Sequence, residues 1–194
     1  MRPTQLLAAI WIAWGVTWLG AAVWSGRTEK RAATWDVSAY RLLTVIGAIL
    51  LWHGTVRAFG LSRLWHVGYV GAYVLAGVTL IGILFAWWAR LHLGRLWSGA
   101  VTLKERHRIV DTGPYSLVRH PIYTSLIGAT LATAAAQATA TAVVGWTLIV
   151  LGLWLKARAE ERFLVEQFGS ESYAAYQRRV PMLVPFAARS DRAA

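Results

Sequence analysis

The sequence predicts an all-α, polytopic membrane protein with about five transmembrane helices. Three observations predict it. Of 194 residues, 57% are hydrophobic and only 15% charged, against about 25% charged in a soluble domain. The apolar residues fall in long uncharged runs. The basic residues fall almost wholly on one side of those runs. The same composition excludes a disordered chain, and the lack of cysteine excludes a disulfide framework, a Cys-based zinc site and a thiol nucleophile.

The spans follow in order. Leu6–Val23 is uncharged and carries Trp11, Trp14 and Trp18. It resembles a signal peptide in position, but a Lys/Arg-rich start and an A-x-A site are missing, so it is expected to remain as a span. Leu42–Val56 is interrupted only by His53, and Val67–Ala89 runs 23 residues without a charge. Ile122–Ala136 and Ala138–Leu155 close the set, with the Ala/Thr-rich stretch 129–142 read as a tight helical hairpin. A helix needs about 20 residues to cross the hydrocarbon core, so the second and fourth spans need flanking residues. Small residues four apart, Gly68, Ala72 and Ala76, then Gly128, Ala132 and Ala136, predict close helix packing.

Five spans divide the 20 Lys and Arg unevenly. Only Arg2, Arg57 and Arg63 lie on one side; the other holds the remainder and all nine Asp and Glu. The positive-inside rule therefore puts the N-terminus outside and the C-terminus in the cytoplasm, as in a bacterial inner membrane. The net charge of +11 reads as attraction to an anionic leaflet and its lipids, not to nucleic acid.

Two cytoplasmic segments carry the polar groups, residues 90–121 and 156–190. In the first, Gly113-Pro114 marks a turn, because Gly permits positive φ and Pro fixes φ near −65°. Pro121 suits the first turn of the fourth helix, where its missing N–H costs nothing. His120 then sits at a helix N-terminus, a setting that favours an anionic group. In the second segment a continued helix puts Lys156 and Glu160 on one face, and Arg158 and Arg162 on another. Each segment alone also reads as a plain helix cap or a helix with i,i+4 ion pairs.

Together they form a longer pattern. It runs Gly113-Pro114-Tyr115, Val118-Arg119-His120-Pro121, Tyr123, then Glu160-Glu161, Leu164, Phe168-Gly169, then Tyr173, Tyr176 and Val180-Pro181. This pattern, over roughly residues 90–186, resembles the isoprenylcysteine carboxyl methyltransferase family and its phospholipid methyltransferase relatives. The resemblance implies an integral membrane enzyme that binds S-adenosyl-L-methionine in a cytoplasmic pocket formed by the C-terminal half. The apolar runs give three N-terminal helices over 1–89, which match the family only in hydropathy, and the resemblance implies a catalytic region over 90–194. His107, Arg108, Ile109 and Val110 correspond to the strip along the adenosine end of the cofactor. Tyr115, His120, Pro121, Ile122 and Tyr123 correspond to its remaining wall, and Glu160 to the cofactor-binding carboxylate, with Glu161 the alternative. Where the family has a substrate-contacting arginine this chain has Lys156, with Arg158 nearby as a substitute.

The chemistry of these residues agrees with that implication. Glu160 suits the ammonium or ribose diol of the cofactor, His120 and its helix N-terminus suit the carboxylate, and the tyrosines supply aromatic walls. Methyl transfer needs positioning more than proton transfer, and an acceptor carboxylate is already ionised near pH 7. No general base and no metal ligand is therefore assigned. The expected acceptor is a lipophilic small molecule or lipidated substrate bearing a carboxylate. The alternatives are an NADPH-dependent membrane reductase of the sterol-reductase type and a phospholipid or amine N-methyltransferase; a non-enzymatic scaffold would leave the polar matches without purpose.

Overall fold

The computed structural model describes the backbone of residues 1–24, 28–31, 34–53, 63–97, 102–104, 109–168 and 170–187. Side chains within these ranges are described except at 22, 24, 28–37, 53, 102–104 and 167–172. The described elements are six helices: α1 (Pro3–Gly20), α2 (Thr34–His53), α3 (Tyr69–Leu93), α4 (Pro121–Gln137), α5 (Ala140–Phe168) and α6 (Ser170–Arg179). Two short strands, β1 (Thr28–Arg31) and β2 (Thr102–Lys104), pair antiparallel. The all-α class holds, with this small ribbon as its one addition.

Among the described residues, two segments, Tyr69–Leu96 and Ala140–Glu166, are long and apolar enough to cross a membrane. The outward face of α3 fits that solvent: Val70, Val74, Ile81 and Leu84 are all exposed. The α5 helix does not stop at Leu155 but runs 29 residues to Phe168. It thereby carries Lys156, Glu160 and Glu161 on one continuous rod with the apolar stretch.

Local chemistry sets the boundaries of the α4–α5 hairpin. Pro121 begins α4 at its first turn, and Ala138 ends it in the left-handed region at φ 55°. Thr139 Oγ1 then accepts from the Ala142 amide at 3.2 Å, satisfying one of the first N–H groups of α5. The stretch before α3 is tied to the same turn, since the Leu64 amide donates to Ala138 O at 2.7 Å and Trp65 Nε1 to Ala135 O at 3.0 Å.

Packing departs in part from the small-residue expectation. Ala76 and Ala132 are buried, but Gly128 faces outward with nothing within 4 Å of where a Cβ would stand. The α3–α4 seam instead uses Gly82, whose Cβ would meet Ser125 O and Ala129 Cβ at 3.1 Å. A second seam joins α2 to α5. A Cβ on Gly47 would fall 2.6 Å from Gly145 O, one on Gly145 2.6 Å from Gly47 O, and one on Gly152 2.5 Å from Thr44 Oγ1. These glycines let two backbones meet where any side chain would force them apart. The N-terminal helices are thus packed directly onto the hairpin that bears the candidate site.

One buried charge lies away from that site. Arg90, 2% exposed at the end of α3, sets its guanidinium 3.4 Å from the Trp97 ring centroid and 4.5 Å from that of Trp18. These ring faces stabilise the cation in place of a carboxylate. The aromatic series continues through Trp14 and Trp11, and Trp11 Nε1 donates to Thr133 Oγ1 at 3.0 Å.

Candidate functional site

The site forms where the start of α4, the middle of α5 and the end of α6 converge. Gly113–Ser116 makes a single 3-10 turn, with Gly113 at φ 58°. A Cβ there would also lie 2.7 Å from His92 Cε1, so both backbone and space require glycine. His92 in turn bonds Thr112 Oγ1 at 2.9 Å and stacks on Tyr115. Tyr115 is buried, and Tyr176 OH donates to its carbonyl at 2.7 Å. Burial, and then the nearby Glu160 and Tyr176, raise the Tyr115 hydroxyl well above the ordinary tyrosine range, so it stays protonated.

Glu160 and Glu161, neighbours on α5, have different surroundings. Glu161 is saturated: Arg119 Nε donates to Oε1 at 2.6 Å, Arg119 Nη2 to Oε2 at 3.0 Å and Gln177 Nε2 to Oε2 at 3.2 Å. His120 Nε2 stands 3.2 Å from Oε1 as well. Arg119 extends the hub to α6, donating through Nη1 to Gln177 O at 3.0 Å and Val180 O at 2.5 Å. Glu160 keeps more of its side chain exposed, 20% against 10%. Its Oε1 accepts from Tyr123 OH at 2.6 Å, and Oε2 lies 3.4 Å from His120 Nδ1.

His120 therefore bridges both carboxylates, one to each ring nitrogen, and its ring stacks parallel on Tyr123 at 5.4 Å. Burial works against its charge, but hydrogen bonds and attraction from Glu160 and Glu161 outweigh that, holding its pKa above the ordinary histidine value. The expectation that His120 and its helix N-terminus receive an anion meets a different arrangement. Both ring nitrogens are engaged, and the amides of Arg119 and His120 donate to Pro181 O and Met182 O at 2.9 and 3.1 Å. Thr124 Oγ1 adds a bond to Leu183 O at 2.6 Å. The segment after α6 thus straps over the start of α4.

The other expected residues separate by face. Pro121 and Ile122 are buried in the core beside Tyr123. Ile109 packs on the Tyr173–Tyr176–Val180 cluster, while Val110 packs on the main core. His107 and Arg108 lie outside the described residues. Lys156 lies on the Glu160 face, its Nζ 5.1 Å from the Tyr123 ring centroid and 5.7 Å from that of Tyr40. Arg158 does not join it; it is exposed, stacked 5.3 Å from the Trp154 ring, along a shallow groove with Ala39, Leu155 and Arg162. Sequence reasoning gave Arg119, Gln177 and Tyr40 no place in the site. The first was visible within the motif, but its partners lie 42 to 61 positions away.

Comparison with known proteins gives a consistent result. Residues 74–166 match the family model described as "Isoprenylcysteine carboxyl methyltransferase (ICMT) family". A protein of Oryza sativa subsp. indica named "Probable protein-S-isoprenylcysteine O-methyltransferase" is 26% identical over 182 residues, 92% of this chain and 93% of that protein. Protein-S-isoprenylcysteine O-methyltransferase B of Arabidopsis thaliana is 22% identical over 94% of this chain and 92% of its own length. The cobalt-zinc-cadmium resistance protein CzcN of Cupriavidus metallidurans is 29% identical over 81% of this chain and 65% of its own. Family match, plant relatives and apolar helices together give the chain membrane character and make it similar to the isoprenylcysteine carboxyl methyltransferases.

Proposed function

We propose that this protein is an integral membrane enzyme that uses S-adenosyl-L-methionine to methylate the carboxylate of a lipophilic acceptor. The observation that carries the reading is Glu160. It is the carboxylate of the pair with acceptor capacity left, at the meeting point of α4, α5 and the tyrosines. A carboxylate offers about four acceptor positions; Glu161 spends its own on Arg119, Gln177 and His120, and Glu160 does not.

The residues present fit that cofactor. Glu160 would receive its ammonium or ribose diol, and Tyr115 and Tyr123 would wall it with neutral aromatic surface. His107, Arg108, Ile109 and Val110 would line the adenosine end. His120, Pro121 and Ile122 would shape the pocket from behind, with His120 orienting the Glu160 carboxylate. When bound, S-adenosyl-L-methionine supplies a methyl group activated by its sulfonium. Lys156 would attract and orient the acceptor's carboxylate, which needs no base because it is ionised near pH 7. Arg158, on the outer face, would serve the lipid-proximal part of the acceptor or a headgroup. The role of the protein is then alignment and exclusion of water, and alignment alone is worth about 7–11 kcal/mol in favourable cases.

The charge distribution supports about five spanning helices, with the N-terminus outside, the tail in the cytoplasm and the pocket facing the cytoplasmic leaflet. A lipophilic or lipidated acceptor would reach it from the bilayer. The plant relatives carry names that specify isoprenylcysteine, which makes a prenylcysteine the first acceptor to try.

Calorimetry with S-adenosylhomocysteine and with NADPH on the detergent-purified protein tests the class. Micromolar binding of the first alone is the expected result. Binding of NADPH alone replaces the reading with a membrane reductase, and binding of neither removes both. Radiolabelled methyl transfer to N-acetyl-S-farnesylcysteine and to phosphatidylethanolamine then separates carboxyl from amine methylation.

A further inference from the structure

The α2 helix brings one polar group to the candidate site. Tyr40 is 3% exposed, and its hydroxyl is buried with no hydrogen-bond partner. A buried hydroxyl left without a partner is costly, and native structures rarely keep one without a use. This one is held firmly, because the Tyr40 carbonyl accepts from Thr44 Oγ1 at 2.7 Å and lies in the glycine seam, 2.9 Å from where a Gly152 Cβ would stand.

Its neighbours define what it would bind. The Lys156 ammonium stands 5.7 Å from the Tyr40 ring centroid and 5.1 Å from that of Tyr123. It therefore lies near one aromatic ring from α2 and one from α4. Arg41 and Glu160 are both within electrostatic reach of Tyr40; Arg41 adds a second cation beside Lys156, while Glu160 Oε1 is taken by Tyr123 and its Oε2 is turned to His120. A phenolic O–H and an ammonium near the same ring are both donors, and together they suit an anion with two oxygens.

We propose that Tyr40 is a binding residue for the methyl acceptor, its hydroxyl and the Lys156 ammonium together seating the acceptor's carboxylate. This rests on the carboxyl-methylation reading above and adds the residue that α2 contributes to it. The hydroxyl is sealed from water in this state. The long flexible stem of Lys156 is the adjacent part that can swing to admit a ligand. The arrangement divides the site by charge: Glu160 faces the cationic cofactor, and Tyr40 with Lys156 faces the anionic acceptor. It also gives the N-terminal helices a function beyond anchoring.

The test is Tyr40→Phe in the full-length protein, with N-acetyl-S-farnesylcysteine and its carboxamide as probes. Acceptor binding is read by calorimetry with and without S-adenosylhomocysteine. The loss of one hydrogen bond to a charged group predicts acceptor affinity and KM weaker by about 10- to 100-fold. The affinity for S-adenosylhomocysteine should stay within about 2-fold, and the melting temperature should hold or rise, since no protein hydrogen bond is lost. The preference for carboxylate over carboxamide should shrink. An unchanged acceptor affinity overturns the inference, as does a wild type that binds carboxylate and carboxamide alike. A lowered melting temperature with unchanged selectivity assigns the hydroxyl to structure and overturns it too. If the wild type fails to bind S-adenosylhomocysteine, the cofactor reading falls by itself, and the acceptor measurement still decides the role of Tyr40.

Discussion

Arg119 and Glu161 form a two-point pair, Nε to Oε1 at 2.6 Å and Nη2 to Oε2 at 3.0 Å, with both side chains about nine-tenths buried. The pair joins the residue before His120 to the residue after Glu160. It therefore fixes the position of His120 relative to Glu160, the carboxylate proposed to face the cofactor. Because Arg119 Nη1 also takes the carbonyls of Gln177 and Val180, one guanidinium ties α4, α5 and α6 together. Removing it leaves the Glu161 carboxylate largely buried without its main partner. We expect Arg119→Met to cost about 3–5 kcal/mol, measured as a lowered melting temperature in detergent. A shift under about 2 °C, equivalent to less than about 1 kcal/mol in a chain of this size, would show that the hub carries little.

Glu160→Gln should behave differently from Glu161→Gln. The first keeps the size of the group and removes the charge that would face an ammonium, so S-adenosylhomocysteine should bind about 10- to 100-fold more weakly with a small change in melting temperature. The second breaks the Arg119 pair and should act mainly on stability. If both variants bind S-adenosylhomocysteine like the wild type, the cofactor does not contact this pair.

His120 predicts a pH dependence of definite sign. Its folded-state pKa lies above the ordinary 6.5, with burial opposing the charge and the two glutamates outweighing burial. A raised pKa means the folded protein holds the proton more tightly than the unfolded chain. The stabilisation is therefore complete below about pH 6.5 and disappears as pH rises through the higher folded-state value. Melting temperature should fall along that limb in the wild type, and the fall should be reduced in His120→Gln. A limb of the same depth in both proteins would assign the dependence to another group.

Much of this was legible in the sequence, and the boundary between what was and was not is physical. The Gly113-Pro114 turn, Pro121 in the first turn of α4 and the tight hairpin near Ala138 follow from local backbone preference, and each stands where expected. The shared face of Lys156 and Glu160 follows from helical spacing. The Arg119–Glu161 hub does not, because it joins residues 42 apart through no sequence period. Nor does the strap of Pro181–Leu183 over α4, which uses main-chain carbonyls that carry no side-chain signature. Small-residue spacing misled at Gly128, which faces outward, and missed Gly47, Gly145 and Gly152, which have no Gly or Ala four positions away.

Those seam glycines give the last prediction. Gly145→Ala would put a methyl 2.6 Å from both Gly47 O and the Leu51 amide nitrogen, backbone atoms that cannot turn aside. The α2 helix must then shift from α5, at a cost of about 1–3 kcal/mol from overpacking. Gly128→Ala meets nothing within 4 Å and should be neutral or slightly stabilising through helix propensity, worth up to about 1 kcal/mol. The two variants make the same chemical change on neighbouring helices, so a melting-temperature comparison isolates the seam. Because α2 carries Tyr40 and α5 carries Lys156, the shift in Gly145→Ala should also weaken binding of N-acetyl-S-farnesylcysteine. Binding of S-adenosylhomocysteine, proposed to lie at Glu160 against α4, should change less. Equal losses of both ligands would mean that the two helices move as one body and that the seam does not separate the acceptor side from the cofactor side.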